Sequence, residues 1–222
     1  MRTFLPLMCG VLAAAPLPAR AEADLQAWTL LTLQGHMTSR SRLYAELQPR
    51  VALVPDAHLD RLLVRAALGW DLGREITVWL GYAWTPTFPA GFVDEKRPFQ
   101  QLTIGTRGAA GAMQNRTRIE QRFIEGSDLS LRLRHMLRVQ RPVEAGSRWL
   151  LVAYDELFVN LNDATGGPSA GFDQNRTYVG AGRVIDRVTL EAGYMLDAVA
   201  RPSPRTWLLR SNLVLGVAIV LP

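Results

Sequence analysis

Cysteine is almost absent. Cys9 is the only one in 222 residues, and it lies in the apolar stretch near the start, so disulfides and thiolate metal sites are excluded from everything downstream. Histidine is scarce as well: His36, His58 and His135 are the only three. None lies beside a serine in a hydrolase motif, so no nucleophile and base pair is visible, no catalytic residue is assigned, and neither metal nor cofactor is expected. Lysine is reduced to Lys96. Every other basic side chain is arginine, whose planar guanidinium suits crowded carboxylate pairing better than an ammonium does. Long apolar runs are missing too. The run from Leu213 to Leu221 falls short of the ~20 residues a spanning helix needs, so a membrane would be entered by strands.

What is present at the start is Met1, Arg2 and Thr3, then an apolar run from Phe4 to Leu17 closed by Ala19, Arg20 and Ala21. This is the layout of a secretory signal peptide, residues 1–21, with cleavage expected after Ala21 and one domain over residues 22–222. Removing that segment takes Arg2 and Arg20 and no acid, so the formal charge falls from +5 to +3. Such a balance is too slight to imply nucleic acid.

The dominant signal is period two. In Arg116, Thr117, Arg118, Ile119, Glu120, Gln121, Arg122, Phe123 the charges take every second place, which in a strand puts them all on one face. The same alternation recurs in about eleven segments, beginning near Asp24, Ser41, Leu59, Glu75, Phe99, Asn115, Leu129, Trp149, Asp173, Val188 and Thr206. The connections 85–98, 161–172 and 198–205 are long and separated by even numbers of strands, which places all three on one rim. An all-β, antiparallel, up-and-down transmembrane barrel follows, with long outer loops, short periplasmic turns and an outer-membrane location. Because single-chain bacterial barrels have even strand numbers, the expectation is twelve, with ten as the second choice.

If the apolar face meets lipid, the interior receives Arg42, Glu46, Arg50, Arg61, Arg65, Asp71, Arg107, Arg116, Arg118, Glu120, Arg122, Arg132, Arg134, Arg138, Glu156, Arg176, Glu191 and Arg210. Buried charges must be paired or hydrated. The first reading is therefore a structural charge network that holds the wall in register; the second is a narrow passage favouring small anions. Gly69, Gly81 and Gly193 fall on the interior phase beside the outward rings Trp70, Tyr82 and Tyr194, as a tightly curved sheet needs. With Trp84, Phe123 and Trp207 these rings read as interfacial girdles. His135 shares the outward phase of Leu131, Leu133 and Leu137, and His58 falls in a connection between Asp56 and Asp60. The two Asn-Arg-Thr triplets, Asn115 to Thr117 and Asn175 to Thr177, read as incidental matches at strand starts. Two alternatives stand beside the barrel: an outer-membrane hydrolase with its site at the extracellular rim, and a secreted soluble β-barrel that binds a ligand.

Leu63-Val64-Arg65 with Leu68-Gly69-Trp70, Leu80-Gly81-Tyr82, the Arg116 to Arg122 core, Tyr154-Asp-Glu156-Leu-Phe158, Asn175-Arg176 and Gly193-Tyr194 together resemble the bacterial family called domain of unknown function 2490 (DUF2490) over nearly the whole mature chain. The resemblance implies an outer-membrane β-barrel without an assigned activity. Its partners would be outer-membrane lipid and the barrel-assembly machinery during biogenesis. The chain departs from the usual barrel pattern in ending Val220, Leu221, Pro222 rather than on an aromatic.

Overall fold

A strand with one charged and one apolar face must put the two in different surroundings, and a sheet made only of such strands does so by closing on itself. The computed structural model describes residues 24–89, 91–108, 110–200 and 207–222. In it, β1 (Asp24–His36), β2 (Ser41–Ala52), β3 (His58–Asp71), β4 (Ile76–Trp84), β5 (Glu95–Gly108) and β6 (Gly111–Ile124) follow one another around the wall. They continue through β7 (Ser130–Pro142), β8 (Trp149–Asn160), β9 (Gly171–Ile185), β10 (Val188–Ala200) and β11 (Trp207–Val220). Sequential neighbours are antiparallel, and the barrel closes where β1 and β11 pair in parallel from Asp24↔Arg210 to Gln34↔Val220. The described residues contain no helix. The expected segment 1–21 and the side chain of Trp207 lie outside the description.

The barrel thus has eleven strands, one fewer than the parity argument favours. Parity assumes that the first and last strands run in opposite directions. A parallel ladder satisfies backbone donors and acceptors as well, and β1 and β11 are long enough to make one over eleven residue pairs.

The connections after β2, β4, β6, β8 and β10 share one rim with Asp24, here the loop rim; those after β1, β3, β5, β7 and β9 share the other with Val220, the turn rim. The loops are knitted to one another. Phe88 N–H donates to the Asp60 carbonyl at 3.0 Å, and Asp128 N–H to that of Thr165 at 3.0 Å. Asn162 accepts from Leu131 N–H at 2.7 Å and donates to the Leu129 carbonyl at 2.9 Å. At the same rim the Trp84 indole N–H lies 2.6 Å from Asp94 and holds that carboxyl below its ordinary pKa.

The two faces carry opposite chemistry. Large apolar side chains cover the outside, with Leu80, Leu151, Val179 and Leu215 more than half exposed, and the rings Trp70, Tyr82, Trp84, Phe123 and Tyr194 join them there. The inside is filled. Phe99, Phe158, Tyr178 and Met195 are buried there, together with eight arginines and five carboxylates among the described residues. Curvature tight enough to hold these rings requires glycine opposite them. A Cβ on Gly81 would collide with the Phe99 ring and the Ala66 carbonyl, and one on Gly193 with Tyr178 and the Val179 carbonyl. Gly81→Val is therefore expected to lower the unfolding free energy by about 1–3 kcal/mol through overpacking. Gly73→Val, at a turn with open space around it, should stay within about 0.5 kcal/mol of the parent; urea midpoints of the two variants check the difference.

Candidate functional site

The interior face of β5 to β8 brings together the side chains that alternation singles out. From β6, Glu120 points inward between two arginines of β7. Its Oε1 accepts from Arg134 Nη1 at 2.6 Å, and its Oε2 accepts from Arg132 Nη2 at 2.7 Å and Nε at 3.1 Å. Arg118 Nη1 approaches the same carboxylate at 3.4 Å. Arg134 then reaches across to β8, where Glu156 Oε1 accepts from its Nη2 at 2.8 Å and also from Arg116 Nη2 at 2.7 Å. A second node lies nearer the loop rim. There Glu95 accepts from Arg97 at 2.7 and 2.5 Å and from Arg122 at 2.6 Å. Glu46 completes the lattice on the β2 side, bonded to Arg65 at 3.0 Å and to the Tyr44 hydroxyl. Buried guanidinium and carboxylate pairs of this kind satisfy charge and geometry together, which a lysine could not do with the same fork.

Eight buried arginines face five buried acids, so three guanidiniums need other partners, and glutamines supply them. Gln48 Oε1 accepts from Arg50 at 2.6 and 3.1 Å, and Gln101 Oε1 from Arg118 at 2.5 and 2.9 Å. Gln174 accepts from Arg176 at 2.7 and 3.2 Å in the amide orientation that satisfies both groups. Rings take the guanidinium faces. Arg50 lies 3.6 Å from the Trp28 centroid with Arg176 at 4.9 Å from the same ring. Phe158 meets Arg134 at 4.5 Å, Arg176 at 4.6 Å and Arg132 at 5.3 Å, and Phe99 meets Arg118 at 4.1 Å. Each such contact adds attraction that strengthens when water is removed.

Towards the rims the other expected residues form separate pairs. Arg42 binds Asp71 at 2.7 and 2.9 Å, and Thr77 donates to the same carboxylate at 2.7 Å. Arg138 binds Glu191 at 2.5 Å. Arg61 stands across from Arg50 and Arg210 across from Asp197. Arg107 has the inward phase but lies exposed at the turn-rim end of β5. Sequence reasoning missed Glu95 and Arg97 because the expected strand began at Phe99, after Pro98; carrying its phase back two and four residues finds both. It also missed Asp197, 3.5 Å from Arg176, and Asp173. The latter is the extra residue where the β8–β9 register shifts, and it binds Arg132 at 3.0 Å.

The histidines are spread out. His36 lies 3.9 Å from Asp71 at the turn rim. His58 opens β3 rather than lying in a connection, its Nδ1 2.8 Å from the Asp56 carbonyl oxygen. His135 points outward with Nδ1 3.0 Å from the Thr117 hydroxyl. That hydroxyl and imidazole face each other across a regular stretch of the β6–β7 ladder, where Thr117 is paired with His135. Among the described residues no three His, Cys, Asp or Glu side chains come together as metal ligands. The Asn-Arg-Thr triplets lie inside β6 and β9, not at their starts.

Residues 25–207 match the family described as "Protein of unknown function (DUF2490)". The chain is 33% identical over 202 residues to an uncharacterised protein of Methylorubrum extorquens, covering 87% of each. No solved structure matches.

Proposed function

We propose that this chain, which belongs to the DUF2490 family of proteins of unknown function, is an exported, non-enzymatic outer-membrane barrel whose Arg/Glu interior is a closed structural lattice. The observation that carries this reading is the inverted distribution of polarity: buried arginine and glutamate inside, exposed leucine, valine and aromatic side chains outside. A soluble barrel that binds a ligand would need the opposite arrangement, since a contiguous apolar exterior of this extent is stable only against lipid. The strands run from 9 to 15 residues, and tilted strands of about 9–11 residues cross a bilayer core. With the loop rim outward and the turn rim in the periplasm, β11 runs back toward the periplasm, as the usual loop asymmetry requires.

The rings Trp28, Phe158 and Tyr178 favour a closed lattice over an anion passage, because they occupy the section through which ions would pass. Two measurements test these statements. Membrane fractionation with heat-modifiable gel mobility should place the folded protein in the outer membrane; recovery in the soluble periplasmic fraction would sink the membrane reading. In planar bilayers the purified barrel should give no discrete conductance steps. Anion-selective steps would restore the passage reading, and the excess of arginine leaves no account of a cation preference.

A further inference from the structure

The outer wall carries neutral polar pairs at Gln100–Gln121 and Tyr194–Ser211, and between β6 and β9 it also carries ionisable side chains. On β7, His135 is exposed between Asn115 and Thr117 of β6, which reach its two ring nitrogens at 3.5 and 3.0 Å. On β8, Asp155 is exposed and is held the same way by β9: Asn175 Nδ2 donates to it at 2.9 Å and the Thr177 hydroxyl at 2.8 Å. The two Asn-Arg-Thr triplets are thus two copies of one device. Each turns its arginine into the lattice and presents Asn and Thr as an outward clamp on an ionisable side chain of the adjacent strand. Around them the wall is apolar, with Ile119, Leu137, Leu151, Leu157 and Val179 all exposed.

We propose that this region is the contact surface of a symmetric dimer of this chain within the membrane, an inference that rests on the outer-membrane reading above. An ionisable side chain facing lipid at mid-wall is costly and calls for a partner, and here the partner's chemistry is on the surface itself. A two-fold axis along the membrane normal, passing outside the β7–β8 seam, sets the β7 half of one copy against the β8 half of the other. An isologous contact needs such a self-complementary patch. His135 then faces the Asp155 of the second copy, and the apolar side chains close around the pair.

The depths agree. Following the paired registers from Thr32 through Glu46, Arg65, Ala83 and the β5–β6 ladder leads to Arg122 and then Ser130, the first residue of β7 at the loop rim. Each step around the wall therefore descends toward that rim, by about 3 Å at a strand tilt of about 40°. His135 pairs with Leu157, and Asp155 lies two residues back along β8 toward the turn rim, which regains about 5 Å of depth. The imidazole and the carboxylate thus come within about 2 Å of the same height.

The test uses single cysteines in a Cys9→Ser background, cross-linked in intact outer membranes. Leu137→Cys and Leu157→Cys, on the seam, should give a species of twice the mass; Leu47→Cys, exposed on β2 across the barrel, should not. Adding His135→Asp to a seam variant places carboxylates against each other and should cut the cross-linked fraction about tenfold or more. Adding Asp155→His as well restores complementarity, since the two clamps are alike, and should bring the dimer back. Heat-modifiable barrels in the outer-membrane fraction with no seam cross-link would overturn the dimer while leaving the membrane reading intact. A cross-link to a protein of different mass would also overturn it. Recovery in the soluble fraction would instead remove the membrane reading on which the dimer rests.

Discussion

Glu120→Ala is expected to lower the unfolding free energy by about 3–5 kcal/mol, the cost of breaking a buried ion pair from one side. Glu120 is 1% exposed and receives Arg132 and Arg134 as close partners, with Arg118 at its edge. Truncation takes the shared carboxylate from all three guanidiniums and leaves Arg132 to Asp173 and Arg134 to Glu156. Glu156 is already shared between Arg116 and Arg134. Gln121 sits one residue away on the outer face, where its amide bonds to Gln100 at 2.9 Å; Gln121→Ala should change stability by less than about 1 kcal/mol. Urea-induced unfolding in detergent micelles, read from tryptophan fluorescence, separates the two. Equal midpoints would mean that Glu120 does not secure the wall. Glu120→Gln should fall between them, since an amide keeps the volume and part of the hydrogen bonding but leaves the arginines without counter-charge.

The faces of the barrel are legible from the residues because a period of two cannot be mistaken once charges occupy every second place. Arg116, Arg118, Glu120 and Arg122 all point inward as that spacing requires. The pairing is not legible, because it depends on register. Nothing local to Glu120 indicates that Arg132 and Arg134, rather than Arg122, will hold it; the β6–β7 hairpin decides that. The extra residue at the β8–β9 irregularity turns Asp173 toward Arg132, and no pattern in the alternation marks such a shift. The interior rings were within reach of sequence reasoning. Phe99 follows Arg97, and Phe158 follows Glu156, at two-residue spacing, so their phase assigns them inside. Strand number came within one: the eleven alternating segments are the eleven strands, and parity, which moved the expectation to twelve, constrains only barrels whose terminal strands are antiparallel. The clamps around His135 and Asp155 join residues spread over four strands, and only the register brings them side by side.

Phe158→Ala is the second variant expected to cost about 3–5 kcal/mol, this time through lost volume and lost ring contacts together. Phe158 is 1% exposed and fills the space between the β7 arginines and Arg176 of β9. If volume alone mattered, Phe158→Leu would recover most of the loss, because a leucine fills much of the same cavity with apolar surface. The geometry argues otherwise. Three guanidiniums lie within 5.3 Å of the ring centroid, and Arg176, whose acid partner Asp197 is 3.5 Å away, depends on ring faces and Gln174 for the rest of its solvation. A leucine offers no π face, so Phe158→Leu should retain a deficit of about 1–2 kcal/mol, while Phe158→Tyr should retain less, limited to the cost of placing its hydroxyl. A double-mutant cycle on Phe158 and Arg176, read from urea midpoints, measures the coupling directly. A coupling energy of zero would assign Phe158 to packing alone and leave the excess positive charge of the interior to the three glutamines.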